Sequence, residues 1–351
     1  MGKFAYRQVN AAPNNAEIFF AYVVCDPTGS LPSHWRRGLT QLAEHEYHGQ
    51  IWPCRYFSAS TWSPQETLPP GMAQWKHCNV ALDRSQREQW QRRLWWLRPK
   101  GHPDGDWGYS DRAAATLDTL MQEFRPDWVI FEEVWTYRYL QVVQRYPCSV
   151  VLDQYNVEAD LFCQKLRIDR TRRSRLRGLV QLPQLQRIER NFIQRADRVW
   201  VCSQEDTQLL KRLYGPQAQS YVVPNGVNVD HYAEVRSGHC PLPQGLRGDR
   251  RYLLFLGQLS YEPNTVAARL LLDAIYPPLK QRYPDLCLLL VGRNPTAFML
   301  QAAEHDPDIV VTGSVADVRP YLAMASIMAV PLQQGGGTRL KILEAFAIRL
   351  S

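Results

Sequence analysis

Short apolar runs recur along the chain, each followed by turn residues and then by a stretch whose apolar positions lie three and four apart. Ile18 to Cys25 (IFFAYVVC), Trp128 to Phe131 (WVIF), Ser149 to Asp153 (SVVLD), Val199 to Cys202 (VWVC), Tyr252 to Gly257 (YLLFLG), Leu286 to Val291, Ile309 to Thr312 and Ile327 to Leu332 (IMAVPL) are continuously apolar rather than alternating. Strands read this way when both faces of a parallel sheet are covered. Between them, Leu117, Leu120, Met121 and Phe124 make one helix face, ended by Arg125-Pro126-Asp127. Ser203-Gln204-Glu205-Asp206 reads as a capping box opening another helix, and Asn264 as the N-cap of a helix over 265–282. Leu340, Leu343, Phe346 and Ala347 repeat the helical spacing once more. The alternation predicts an α/β protein with doubly wound parallel sheets whose strand ends line one edge.

At 351 residues the chain is too long for one ordinary core. The Gly-, Pro- and Arg-rich stretch 236–250 is the natural linker, giving an N-terminal domain over 1–235 and a C-terminal domain over 251–351. Residues 52–110, rich in Trp and Pro, carry the weakest pattern. Hydrophobic content of 45% with 21% charged residues suits a soluble globular protein. No apolar run approaches the roughly eighteen residues needed to cross a bilayer. Eight cysteines without a C-x-x-C or zinc spacing fit a reduced cytoplasm.

The net charge of +7 points to an anionic partner. Seven cations fall in Lys165 to Arg177 (KLRIDRTRRSRLR), a segment that either lies against an anionic membrane or forms a solvated basic helix. Trp90, Trp95 and Trp96 offer an interfacial face or plain helix packing. No nucleic-acid reader accompanies the basic patch, and no G-x-G-x-x-G or P-loop occurs at a βα turn. Asp104-Gly105-Asp106 sits in turn chemistry rather than at a strand end, and His45 and His48 lack a third ligand, so no metal site is expected.

Candidate chemistry concentrates in Pro331 to Ala347 (PLQQGGGTRLKILEAFA). Gly335, Gly336 and Gly337 lie between an apolar run and a helical one, where backbone N–H groups and a helix N-terminus form a phosphate seat. Thr338 is a plausible N-cap, and Arg339 and Lys341 can neutralise a diphosphate. Glu344, about 9 Å further along the axis, is placed to accept hydrogen bonds from two ribose hydroxyls. The same residues also suit a glycine turn feeding an ordinary amphipathic helix, with Lys341 and Glu344 as a surface pair.

This segment resembles the donor-binding loop and helix of the family 4, group 1 retaining glycosyltransferases of GT-B fold, in particular bacterial exopolysaccharide-type sugar transferases. The resemblance extends over most of the chain. It implies two Rossmann-like doubly wound domains facing a cleft, with Glu344 holding the nucleotide ribose. It carries Gly29 and Ser30 to the cleft, and counts Glu133, at the end of the strand Trp128 to Phe131, among the acceptor-side residues. Asp153, Asn156 and Glu158 match a D-x-x-N-V-E signature there. Gly257, Asn264, Arg293, Gly313 and Val315 fall at donor-binding positions, the last two against the nucleobase. Two departures accompany these matches. Gly336 stands where a second acidic residue often faces the sugar, and Gln258 and Pro263 replace two cations that hold the diphosphate.

The resemblance further implies a nucleotide diphosphate sugar as donor, a glycan or lipid-linked acceptor, no cofactor and no metal. Arg339 and Lys341 would stabilise the departing diphosphate. Family members continue past the helix in which this chain stops, so a truncated or frameshifted product is expected, with the second domain incomplete. The rival reading is a non-catalytic nucleotide-sugar-binding remnant. A GT-B epimerase would need catalytic carboxylates and histidine that have no evident place.

Overall fold

The computed structural model describes residues 20–26, 54–60, 76–81, 102, 106, 108–168, 171–243, 245–336 and 339–350. Gly29, Ser30, Gly337, Thr338, His45, His48 and the Trp90 to Trp96 cluster lie outside them. The chain forms two compact units, Met1–Pro224 with Gly336–Thr338, and Asn225–Gly335 with Arg339–Ser351. Residues 225–250 therefore go with the second unit. There Tyr232 is buried beside Tyr252 and Leu254.

In the first unit the strands are β1 (Phe20–Asp26), β2 (Cys54–Ser60), β3 (Lys76–Ala81), β4 (Trp128–Glu132), β5 (Ser149–Gln154), β6 (Arg198–Val201) and β7 (Tyr221–Val222). They form one sheet in the order β3-β2-β1-β4-β5-β6-β7, every described pairing being parallel. The order reverses between β1 and β4, which marks the sheet edge where ligands of open α/β folds sit. Helix α1 (Asp111–Phe124) starts where the Ser110 side chain accepts from the Ala113 N–H and stops at Arg125 in the left-handed conformation. Its expected face is inward, with Leu117 and Met121 fully buried and Phe124 partly so.

Helices α2 (Glu158–Ile168) and α3 (Arg172–Arg195) pack as a pair, and α4 (Gln204–Tyr214) begins at Ser203, whose hydroxyl accepts from the Asp206 N–H. Asp197 accepts from the Val150 N–H at 2.7 Å and ties α3's exit to β5. Glu189 of α3 is fully buried and caps α2. It accepts from the Glu158 and Ala159 N–H groups, from Gln154 Nε2 and from the Tyr214 hydroxyl. Burial raises its carboxyl above the usual range, against the pull of those donors.

The second unit has β8 (Arg251–Leu256), β9 (Leu286–Val291), β10 (Ile309–Val311) and β11 (Ile327–Met328) in the parallel order β10-β9-β8-β11. Leu253 and Phe255 of β8 join Leu288 and Leu290 of β9 in one core layer. The alternate residues Tyr252, Leu254, Leu289 and Val291 join another. Covered faces on both sides are why these strands read as unbroken apolar runs. The run from Ile327 was expected to be a full buried strand. It pairs over only two residues, and Ile327 is 44% exposed at the edge of the described sheet. Pro331, which has no N–H to donate, and the turn beyond it end the ladder early.

A single helical stretch runs through α5 (Glu262–Leu270), a π-helical turn (Leu271–Ile275) and α6 (Tyr276–Arg282). Here the sequence reading needs correction. The N-cap is Tyr261, and Asn264 lies within the first turn, because Pro263 fits the opening of a helix and sets the start before it. Helices α7 (Ala297–His305), α8 (Arg319–Met324) and α9 (Leu340–Ala347) follow in the same unit. The N-cap of α9 is Arg339, so the cap expected at Thr338 falls one residue later. Arg236 donates to the Ala347 carbonyl at the other end of α9, a cation where helix carbonyls are unpaired.

Candidate functional site

The second sheet changes direction between β8 and β11, and the residues that follow those two strands form the candidate site. Gly257 ends β8 and Gly292 ends β9. The two cross so closely that a Cβ on Gly292 would lie 1.6 Å from the Gly257 carbonyl oxygen. The Gly257 N–H donates to the Val291 carbonyl at 3.0 Å and the Leu259 N–H to the Arg293 carbonyl at 2.9 Å. These bonds hold the floor of the corner.

Asn264 and Lys341, far apart in sequence, meet above Gly257. Asn264 donates its amide to the Gln258 carbonyl at 2.9 Å and accepts from Lys341 Nζ at 3.2 Å. Lys341 Nζ also lies 4.5 Å from the centroid of the Phe255 ring, a cation–π distance. A Cβ at Gly257 would stand 2.8 Å from the Asn264 amide nitrogen and 3.1 Å from Lys341 Nζ, so glycine leaves room for this junction.

Burial, followed by the Arg339 charge, pushes the Lys341 ammonium down to about 8, while Glu344 opposes that fall. Glu344 is itself only 4% exposed. Its burial bears on one of the two readings of the α9 sequence. Glu344 and Lys341 are not a solvated surface pair. Phe346, expected on the apolar face of α9, is instead 66% exposed.

Gly335 adopts a φ of 129°, a region that favours glycine, and a Cβ there would lie 2.4 Å from an Arg339 guanidinium nitrogen. Arg339 donates to the carbonyl of buried Gln334 at 3.4 Å. Arg293 donates to Gln258 Oε1 at 3.0 Å, so Gln258, which stands at one of the expected cation positions, holds a cation instead. Gly257, Asn264, Lys341 and Glu344 are thus brought together, with Gly335 and Arg339 in mutual contact and Arg293 on Gln258. Gly313, with a φ of 70°, follows β10, and a Cβ on it would meet nothing within 4 Å. Val315 packs into a core layer. Gly336 is half-buried.

In the first unit three of the expected residues, Glu133, Asn156 and Glu158, follow β4 and β5. Glu133 has a φ of 58° and donates its N–H to the Asp153 carbonyl at 2.8 Å. Burial, then the Glu133 charge, pushes Asp153 up to about 7, and burial with Glu132, Asp153 and Glu133 raises the Tyr155 phenol. Asn156 is half-buried, and Glu158 opens α2 under the Glu189 cap. Asp106, whose surrounding D-G-D triplet carried no metal expectation, accepts from the Tyr137 hydroxyl at 2.8 Å and pairs with Arg138.

Sequence reasoning missed the roles of Gln258, Gln334 and Phe255. Only for Phe255 was there a usable signal, its alternation with Leu253 on one face of β8.

The Lys341 environment carries a pH prediction. A bound dianion restores the ammonium's charge, so the complex holds more of this proton than the free protein. Affinity for a diphosphate should fall as pH rises above about 8, by at most about tenfold per pH unit, with proton uptake on binding. Titration calorimetry in two buffers of different ionisation enthalpy measures that uptake; an equal apparent enthalpy in both near pH 9 would refute it.

Comparison with known proteins agrees with this architecture. Residues 80–231 match the family model described as Glycosyltransferase Family 4, and 250–351 the model described as Glycosyl transferases group 1. A phosphatidyl-myo-inositol mannosyltransferase from Mycolicibacterium smegmatis is 33% identical over 128 residues, 36% of this chain. The match spans 31%, about a third, of that enzyme's own length. Among solved structures, sucrose-phosphate synthase from Thermosynechococcus elongatus aligns over 95% of this chain and 80% of its own, with a TM-score of 0.66 at 15% identity. Anabaena HepE, in complex with UDP and glucose, aligns over 94% and 78%, with a TM-score of 0.59 at 15% identity. With two parallel-sheet units of the GT-B fold and a matched glycosyltransferase domain in each, the chain is placed in the glycosyltransferase class.

Proposed function

We propose that this chain transfers a hexosyl group from a nucleotide diphosphate sugar to a glycan or lipid-linked acceptor, with retained anomeric configuration and without a metal ion or other cofactor. The observation that carries the reading is the half-buried Lys341, held by Asn264 and the Phe255 ring at a glycine-floored strand end, with Arg339 and buried Glu344 on the same short helix segment. A diphosphate placed there meets two cations and the N–H groups of the glycine loop. Glu344 accepts from the ribose hydroxyls beyond.

As the sugar–phosphate bond breaks, negative charge grows on the departing diphosphate. Arg339 and Lys341 stabilise it, and Arg293 adds to the field. The donor phosphate takes the acceptor proton, so no protein base is needed. On the first unit, Glu133, Asn156 and Glu158, together with Gly29 and Ser30, serve the acceptor side. Support comes from the two matched domains and from relatives whose names include a mannosyltransferase of a phosphatidyl lipid and a protein bound to UDP and glucose. The setting is cytoplasmic polysaccharide assembly, at the inner face of the plasma membrane.

A second reading, nucleotide-sugar binding without transfer, is favoured by Gly336 at the place of an acidic residue and by Pro263 and Gln258 at the places of two cations. Incubation with a panel of labelled nucleotide sugars separates the two. Release of labelled sugar, to an acceptor or to water, from one donor and its loss in R339Q support the transferase. Saturable donor binding with no release from any donor would overturn it.

A further inference from the structure

Helix α3 is the longest described helix, at 24 residues, and its two faces are unlike. Gly178, Gln181, Leu185, Ile188 and Phe192 turn inward at three- and four-residue spacing and are buried. The orientation is fixed at Gly178, where a Cβ would stand 2.5 Å from Leu166 Cδ1 of α2. The outward stripe therefore cannot roll into the core. Along it Leu176 is 67% exposed, Leu179 74% and Val180 41%. Exposed Arg172, Arg175, Arg177 and Arg187 surround these apolar side chains, and Lys165, Arg167 and Ile168 continue the same character at the end of α2. From 170 to 188 there is no acidic residue.

A solvated basic helix gains nothing from exposed leucines, and a nucleic-acid surface would gain nothing from leucines where stacking aromatics serve. Cations around a narrow apolar stripe complement an anionic lipid surface. Apolar side chains enter the boundary between headgroups and acyl chains, while arginine stems extend the heads outward to phosphate. No described helix is long and apolar enough to cross a bilayer.

We propose that the outward face of α3, with the end of α2, docks the protein on anionic membrane by lying in the interface and burying Leu176, Leu179 and Val180. This inference does not rest on the transfer reading, because bilayer binding needs neither donor nor acceptor.

The test is flotation of the full chain with vesicles of phosphatidylcholine mixed with phosphatidylglycerol, and with phosphatidylcholine alone. The protein should bind the anionic vesicles in a salt-sensitive way and bind the neutral ones far less. R172Q/R175Q/R177Q should weaken binding about a hundredfold, at the cost expected per basic residue near such a surface. L176S/L179S/V180S should likewise weaken it by about a hundredfold, since even partial burial of three such side chains contributes about 3 kcal/mol, with unchanged circular dichroism. Absence of binding to anionic vesicles, or equal binding by wild type and both variants, would overturn the proposal. So would self-association without lipid that L176S/L179S/V180S abolishes, since the face would then belong to a second copy of the chain.

Discussion

Alanine at position 292 should cost the second unit about 4 kcal/mol, the sum of a backbone overlap and an unfavourable φ. The added carbon would lie 1.6 Å from the Gly257 carbonyl oxygen, and the Gly292 φ of 152° is one that L side chains rarely adopt. The obstacle is backbone rather than the tip of a flexible side chain. Both strands would have to separate where the Gly257 N–H meets the Val291 carbonyl. Urea denaturation followed by circular dichroism measures the loss, and a midpoint unchanged from wild type would show that the two chain segments do not cross so closely. Alanine at Gly238, which also has positive φ but meets nothing within 4 Å, separates clash from conformation. It should cost only about 1 kcal/mol.

Removing the Glu344 carboxylate should weaken nucleotide binding by about 1.5–3 kcal/mol, the range for hydrogen bonds to a charged group. That is about a 10- to 150-fold rise in Kd. The side chain is only 4% exposed, so its burial is already met in the fold. A second consequence distinguishes Glu344 from a distant structural residue. Its charge supports the Lys341 ammonium, so E344A should move the Lys341 titration below its present position near 8. Calorimetric titration of wild type, E344A and E344Q with the preferred nucleoside diphosphate measures the first effect. Unchanged affinity in E344A would remove this residue from the site.

Much of the architecture is legible in the sequence. The unbroken apolar runs at β4, β5, β8 and β9 correspond to strands covered on both faces, and the Ser203 cap lies where its spacing put it. Periodicity failed where a neighbouring residue outweighed it. Asn264 has the chemistry of a cap, but Pro263 starts the helix earlier, and the freed amide bridges Gln258 to Lys341 instead. Pro331 likewise follows an apolar run too closely for β11 to extend through it.

The candidate site was partly legible. Glycines, cations and one acid clustered over 335–344 mark the segment as a candidate phosphate seat, yet nothing local reveals that Lys341 is half-buried. The partners of Lys341, Asn264 and Phe255, arrive from another part of the chain and are set by packing. The same limit hid the outward leucines of α3. Leucines at 176, 179, 182 and 185 look alike in sequence, and only contact with α2 decides which of them face solvent.

Direct titration of the full chain with UDP, GDP and ADP at neutral pH, repeated on R339Q/K341Q, bears most directly on the proposed corner. At least one of the three should bind, and the double variant should lose about a hundredfold or more of that affinity as two charge-assisted contacts to the diphosphate disappear. If none binds, or if one binds equally to wild type and to the double variant, the glycine-floored corner does not hold a nucleotide diphosphate.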